Sequence, residues 1–560
     1  MVTPIRLARR PVVVAILVIA GLIATLTACS GAKEPDGIDY VTDATLSTYN
    51  PATVAGSSGG ALMAFTRTLG GFSYLGPDGR VVPDTDVGTA TVVPGDTDRL
   101  VVRYEFNPAA TFSDGSALDC DDLVLTWAAN SGRFPGFAPA TTAGYRDIDT
   151  VDCADGQRSA TVTFAADRPY RDWAALFGMG TLMPAHVAAR AAGVGSVIAP
   201  IRARSSGPLG AIARFWNTGW DLKAGSVDEK VFPSVGPYRL TSVNSDGAVR
   251  LEANPRWWGE APQEDSITVW PRGSAGASVL TDDDAEVVDV ATGTYETTEG
   301  ASGPTAQPTV GRPPTQQDPG PAVDQLVFAT TGVFADPATR RAVAACVPRD
   351  RLAADFGYGA DPWNLHLIGP GDVAAAELNT QYGSDFARVD IPRARGALGR
   401  EITVRIGFVE PDARRGAMIA AIAESCSAAG VRVQAVPQAR PTFDRGTDAL
   451  ILTTGSSTAA SGALDPTRDS YAFVAGDPAD IDRFVDPQVS AAISRLAVSD
   501  DEELRLNLVR SVENALWTKL PALPLFATPR TRGGSAAMTA VVPGVARSGT
   551  GWNMDRWSRN

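Results

Sequence analysis

Apolar residues fall into three patterns along this chain. Near its start, Pro11 to Ala24 forms one continuous apolar run behind Arg6, Arg9 and Arg10. Further on, short runs with alternation predict strands. These are Ile38 to Tyr49 (a strand and turn ending at Asn50-Pro51), the strand–turn–strand of Tyr74 to Pro83, Leu100 to Phe106, Ile402 to Phe408, Val431 to Val436 and Ala449 to Thr453. Longer stretches with apolar positions every three to four residues predict helices. They cover Ala61 to Leu69, a segment opened by Asp119-Cys120-Asp121-Asp122, one after Asp336-Pro337 with Val343 and Cys346 on its buried side, Arg414 to Ala429, and Glu502 to Leu516. The acids at Asp119 to Asp122 suit the positive end of a helix. Gly56 to Gly60 reads as a flexible loop, and Gly300 to Pro321, rich in Pro, Gly, Gln and Thr, as a mobile surface loop. The strand–helix–strand order from Ile402 to Val436 implies a largely parallel sheet.

The leading run bears on the compartment. A basic stretch, an apolar run and small residues make a secretory signal, and Leu26-Thr27-Ala28-Cys29 looks like a bacterial lipobox. Cys29 is then lipidated, the chain is cut before it, and the remainder is exported and tied to the outer face of the cell membrane. The alternative is an uncleaved anchor over Pro11 to Ala28, which has sufficient length but gives Cys29 no purpose. No second run of about 18 apolar residues follows.

At 560 residues the chain exceeds one simple core, so two or three subdomains are expected. A formal charge of −14 opposes nucleic-acid binding without identifying a ligand. No cofactor and no metal site is expected. There is no CxxC, and His186 and His366 are the only histidines. Asp282, Asp283, Asp284 and Glu286 lack calcium-loop spacing and read as a solvated turn. Beside Cys29, the cysteines Cys120, Cys153, Cys346 and Cys426 are an even set in an oxidising compartment, with three possible pairings.

Several ordered segments resemble the family 5 solute-binding proteins of ABC importers, the peptide, dipeptide and nickel-binding group. Asn50-Pro51 with Leu69, Gly79 and Val82-Pro83-Asp84 is similar to the family's N-terminal block. Phe112-Ser113-Asp114-Gly115 through Asp121-Asp122-Leu123-Val124-Leu125-Thr126-Trp127 resembles "FsDGtPvtaeDVvfsw". Val235-Gly236-Pro237-Tyr238 with Asn254-Pro255-Arg256-Trp257-Trp258-Gly259 resembles "GtGPY … l.rNpnYwg". Val288-Asp289-Val290, Arg340-Arg341-Ala342-Val343 with Arg349-Asp350, and Pro521 to Phe526 continue the series.

The resemblance implies an α/β, two-lobed periplasmic-binding-protein-like fold (type II) with an extra subdomain on lobe one. Residues 1–28 are then the lipoprotein signal. Lobe one takes 29–60, 171–280 and 526–560, the subdomain 61–170, and lobe two 281–525. Two short crossings between lobes act as a hinge. Pairing Cys120 with Cys153 and Cys346 with Cys426 keeps each bridge inside one unit. The implied function is the lipid-anchored, monomeric substrate-binding component of an ABC importer, handing an oligopeptide or similar polar extended solute to permease and ATPase subunits without chemistry.

Carried over residue by residue, the resemblance places Ala55, Gly56 and Ser57 in the cleft wall, where free N–H groups meet a peptide backbone. The chain departs from the pattern at one place. Peptide-binding relatives carry "G-W-x-x-D", whose acid receives the ligand's amine, whereas this chain has Gly455, Ser456, Ser457 and Thr458, and its first acid is Asp465. Either Asp465 serves through a longer loop or the cleft is neutral there. Trp363, Asn364 and His366 form a polar-aromatic loop suited to lining a pocket. The alternatives are a binder of a metal chelate, haem or glycan-linked peptide, and a sensor lipoprotein without transport. A serine hydrolase at Gly56-Ser57-Ser58-Gly59-Gly60 is disfavoured, because Pro51-Ala52-Thr53 is a poor core strand before an elbow.

Overall fold

The computed structural model describes residues 37–95, 99–276, 279, 285–294, 316–318, 320–370, 372, 374–454 and 470–560. The expected leader and Cys29, the acids Asp282 to Asp284, residues 300–315 of the expected mobile loop, and Gly455, Ser456, Ser457 and Asp465 lie outside them. No helix among the described residues is long and apolar enough to cross a membrane.

Two sheets organise the chain into two α/β lobes. The first has eight strands, in the order Gln316–Asp318, Arg530–Gly534, Val287–Ala291, Ile38–Thr42, Ser266–Trp270, Val249–Ala253, Tyr238–Val243 and Gly225–Ser226. Ile38–Thr42 lies inside it, parallel to both neighbours. The second has five, in the order Val431–Gln438, Ile402–Val409, Ala449–Thr454, Val323–Phe328 and Ala522–Ala527. Val323–Phe328 and Ala522–Ala527 are buried at every position, the signature of strands covered on both faces. A separate four-stranded antiparallel sheet joins Gly88–Val92, Val101–Phe106, Ser159–Phe164 and Ile148–Asp152. Val101–Phe106 alternates between buried and open positions, and helix Cys120–Asn130 packs against this sheet. That helix begins as its sequence dictates. Asp119 caps it, and Asp122 returns a bond to the Asp119 N–H, closing a capping box.

Two expectations change. The second sheet is mixed rather than largely parallel. Ile402–Val409 runs parallel to Val431–Gln438 and Ala449–Thr454. Val323–Phe328 is antiparallel to both of its neighbours. The cause is connectivity: Val323–Phe328 enters this lobe from the first sheet, Ala522–Ala527 leaves toward it, and the two lie side by side. A lobe boundary at Leu280 also puts Val287–Ala291 in the second lobe. This fully buried strand instead pairs with Ile38–Thr42 and Arg530–Gly534 in the first sheet. Its apolar faces need cover on both sides, and an inner position there supplies it.

The chain therefore passes between the sheets after Asp318 and after Ala527. The two crossings touch: the Thr528 N–H donates to the Ala322 carbonyl at 2.8 Å. A Cβ at Gly320 would lie 2.4 Å from the Thr528 oxygen, so only glycine permits this approach.

Cys120 is bonded to Cys153 and Cys346 to Cys426, the second bridge tying helix Ala413–Ser427 to the end of helix Pro337–Ala344. The sequence separations are 33 and 80 residues. In the chain-entropy view each bridge contributes about 4 kcal/mol, the longer loop slightly more. Denaturant unfolding of Cys346→Ala/Cys426→Ala is expected to show a loss of that size; an unchanged midpoint contradicts the account.

Candidate functional site

A cavity of about 300 Å³ lies between the two sheets, walled by residues of both lobes. At its hinge side sits Arg530, just past the second crossing. Its Nε and Nη2 donate to Asp289 Oδ1 at 3.0 and 2.5 Å, and its Nη1 to Asp43 Oδ2 at 3.1 Å. Asp289 Oδ2 accepts from the N–H and hydroxyl of Thr550 at 2.7 and 3.0 Å. Asp43 Oδ2 also takes the Ala291 N–H at 2.8 Å. Burial alone would raise the Asp43 carboxyl; the charges of Arg530 and Arg272 outweigh it and hold the group below the usual carboxylate range.

A second cluster lies at the seam where the lobes meet. Arg272, following the first-sheet strand Ser266–Trp270, donates through Nη1 to Asp412 Oδ2 at 3.0 Å. Asp412 belongs to the other lobe, where its Oδ1 caps helix Ala413–Ser427 through the Arg415 N–H at 2.9 Å. One carboxylate thus starts a helix and clasps the opposite lobe. Behind it, Arg414 Nη1 donates to Asp324 Oδ2 at 2.6 Å, and Arg415 Nη2 to the Thr453 hydroxyl at 2.6 Å. That hydroxyl donates on to Asp324 Oδ1 at 3.0 Å. Asp324 is fully buried, which by itself raises its carboxyl, yet Arg414 and Arg415 hold it below the usual range. Elsewhere on the wall, burial and then the neighbouring Asp480 push the Asp482 carboxyl well up.

The residues expected from sequence divide among several places. Ser57 lines the cavity, together with Val54, Ser58 and Gly59. Their segment is not a flexible loop but a short helix, Val54–Ser58, capped by Thr53. The Gly56 and Ser57 N–H groups are consumed by that helix, donating to Thr53 Oγ1 at 3.0 Å and Thr53 O at 2.8 Å. They therefore offer nothing to a peptide carbonyl. Gly56 is needed for another reason: a Cβ there would lie 2.0 Å from the Asn50 oxygen. Ala55 is half-buried, and its carbonyl accepts from Gly59 N and Ser58 Oγ at 3.2 and 3.3 Å. Arg547 donates to the hydroxyl and the carbonyl of Ser57, fixing this wall.

His366 reaches the cavity wall, but both ring nitrogens are engaged, Nδ1 with Glu513 Oε2 at 2.8 Å and Nε2 with the Ala522 carbonyl at 3.0 Å. Trp363 packs into the core, and its indole N–H donates to the Ile368 carbonyl at 2.9 Å. Both hold the loop rather than present it. Ser58 is exposed and its hydroxyl donates to the Ala55 carbonyl at 3.3 Å, while His186 pairs with Asp114 at 3.0 Å and His366 with Glu513 and the Ala522 carbonyl. Among the described residues no group of three or more His, Cys, Asp or Glu is placed to hold a metal ion. Sequence reading missed Asp43, Arg272, Asp289, Arg414, Arg415 and Arg530. Only Asp289, within the Val288-Asp289-Val290 block, and the paired Arg414-Arg415 carried any signal.

Residues 95–438 match the model of bacterial extracellular solute-binding proteins, family 5 (middle). A lipoprotein of Mycobacterium tuberculosis is 41% identical over 543 residues, covering 95% of each chain. The oligopeptide-binding protein OppA of the same organism is 26% identical over 510 residues, covering 86% of this chain and 78% of its own. Among solved structures, the periplasmic EDTA-binding protein EppA superposes with a TM-score of 0.72 at 19% identity, over 93% of this chain and 96% of its own.

Arg530→Gln removes the guanidinium that pairs with both Asp43 and Asp289, leaving Asp43 only the more distant Arg272, and is expected to cost about 3 kcal/mol at pH 7. The lowered Asp43 carboxyl sets the pH dependence. Its stabilisation is complete above the unfolded value, about 4, and is lost as pH falls through the lower folded value. Removing Arg530 lets burial raise that carboxyl in the variant, so unfolding measured across pH should show the gap between wild type and variant largest near neutral pH and narrowing steadily as pH falls; a gap that widens in acid contradicts the assignment.

Proposed function

The chain belongs to the bacterial extracellular solute-binding proteins of family 5, and from that premise we propose that it is the lipid-anchored receptor of an ABC importer, capturing an extended polar solute between its lobes. The observation that carries this reading is the placement of the cavity: both sheets wall it, and the two crossings that join them lie at its edge. A solute held there touches both lobes at once. It binds the closed arrangement better than the open one, which is the condition for closure to report occupancy. A permease then reads the closed shape, and no bond is made or broken. The lipoprotein relative supports anchoring through Cys29.

An oligopeptide is the first choice of solute, supported by the likeness to OppA. The wall also carries Asp482, whose carboxyl, pushed well up by burial and Asp480, suits a neutral hydrogen bond to the solute rather than an amine's charge. Asp465 remains the acid proposed to receive an amine. The guanidinium-rich seam favours a second reading, in which the solute is a polycarboxylate or its metal chelate.

Native mass spectrometry of the exported domain, followed by solute stripping and thermal titration with a peptide library, separates the readings. A co-purifying small species and a stabilisation of about 2.7 kcal/mol at one hundred times Kd are expected. Absence of any bound species, with no stabilisation by peptides, citrate or EDTA, contradicts the receptor reading. Esterase or peptidase turnover abolished by Ser58→Ala would replace it.

A further inference from the structure

We propose that the outer edge of strand Gly88–Val92 is a docking surface for a second copy of this chain, which adds the same strand antiparallel to it. Gly88–Val92 is the outermost strand of the four-stranded sheet and pairs with Val101–Phe106 on one side only. The Val93 N–H donates to the Val101 carbonyl at 2.9 Å, so Thr89, Thr91 and Val93 turn their backbone groups inward. Ala90 and Val92 therefore turn theirs to the edge, where no strand among the described residues pairs with them. Thr89, Thr91, Val92 and Val93 are exposed, Val92 at 42% and Val93 at 41%. None of these residues lines the cavity, so this surface is independent of the solute site.

Open edges invite such pairing, and folded proteins blunt them with charge, proline, irregularity, brevity or cover. The other edges of the described sheets of four or more strands are blunted. Ile148–Asp152 carries Asp149 and Asp152 and an irregular register. Val431–Gln438 carries Arg432 and Pro437. Ala522–Ala527 is covered by the Pro362–Phe526 bridge and by the Trp363 N–H on the Leu525 carbonyl. The outer strands of the eight-stranded sheet have only two and three residues. Gly88 to Val93, reading Gly-Thr-Ala-Thr-Val-Val, has no charge and no proline before Pro94.

A neutral strand offers nothing to a charged partner and, in a chain of charge −14, is a place where two copies meet without like charges directly opposed. A two-fold axis at Thr91 sets Ala90 against Val92 of the second copy, each pair exchanging both N–H···O bonds. It sets Thr91 against itself and Thr89 against Val93, covering both exposed valines. An axis at Ala90 would instead set Val92 against Gly88, which has no side chain to cover it and whose N–H already donates to the Asp84 carbonyl at 3.1 Å. On the next strand Arg103 and Glu105 pair with each other at 2.8 Å. Asp84, Asp86, Asp96 and Asp98 flank the strand, and their like charges oppose any longer ladder. A ladder of this length falls short of the roughly 1,200 Å² of a stable interface, so the dimer is weak in dilute solution and forms where copies are concentrated.

The test uses the exported domain without Cys29, in about 0.5 M salt to shorten the reach of the flanking acids. Opposed residues of a non-hydrogen-bonded pair stand about 4.5 Å apart at Cα, within disulfide range. Thr91→Cys alone is therefore expected to form a disulfide-linked dimer on mild oxidation. Thr89→Cys alone and Val93→Cys alone should not, whereas the two mixed should. Sedimentation of wild type is expected to show a dimer with Kd on the order of 100 µM. Ala90→Pro removes an edge donor without touching the inner ladder, and Val92→Lys puts charge on the edge. Either one, added to Thr91→Cys, should cut the dimer yield by about tenfold or more, with thermal unfolding confirming that the domain folds. A dimer yield from Thr91→Cys no higher than from Thr89→Cys, full yield in the Ala90→Pro and Val92→Lys backgrounds, or sedimentation as monomer alone up to millimolar concentration overturns the proposal.

Discussion

The two-lobed arrangement depends on one buried cation. Arg530 stands where the chain re-enters the first sheet and is held by Asp43, just past the end of Ile38–Thr42, and by Asp289 within Val287–Ala291. Three inner strands of that sheet are thus tied at the point where the second lobe is attached. The three side chains come from positions 241 and 487 residues apart, so the contact forms only when the whole fold has assembled. An arginine is suited to this place because its planar fork serves two carboxylates at once and keeps its charge when buried. Beside it, the crossing segments hydrogen-bond to one another and allow no side chain at Gly320. A firm anchor next to a narrow connection is the mechanical requirement for lobes that move as bodies.

In the neighbouring cluster the interaction is of another kind. Asp412 is both the cap of helix Ala413–Ser427 and the partner of Arg272 across the lobes. A cap cannot move without its helix, so whatever draws Arg272 toward Asp412 draws the second lobe with it. Further contacts cross elsewhere: the Thr142 N–H donates to Asp477 Oδ2 at 3.1 Å, and the Arg171 N–H to the Ala497 carbonyl at 2.9 Å. Apolar packing joins them, because Tyr471, Phe473, Val489, Ile493 and Leu496 share one core with residues of the first sheet and of the four-stranded sheet, so the proposed closure balances polar and apolar contacts around a cavity whose own wall carries unsatisfied groups. Such a balance lets a solute tip the equilibrium.

Much of the architecture was legible in the sequence because it is local. The alternation of Ile402 to Phe408, the periodicity of Arg414 to Ala429 and the Asp119–Asp122 cap signal describe segments that need only their own neighbours, and the structure places Ile402–Val409, Ala413–Ser427 and Cys120–Asn130 there. The ordered family blocks supplied the two-lobed fold. The candidate site was less legible because its residues look like ordinary surface charges until the lobes are brought together. Nothing near Asp43 or Arg530 in the chain marks either as buried. Glycine misled in the other direction. Gly56 suggested open backbone for a ligand, yet its small size serves the Asn50 carbonyl, and Thr53 absorbs the free N–H. His366 likewise looked available, and only the fold brings Glu513 and Ala522 against its two nitrogens.

The central claim is that this chain is a receptor whose lobes close on a solute about the crossings near Gly320 and Thr528. Small-angle X-ray scattering of the exported domain, stripped of solute and then saturated with the species that co-purifies with it, addresses this directly. The account predicts a smaller radius of gyration in the saturated sample than in the stripped one. Identical curves for the stripped and saturated protein would contradict it.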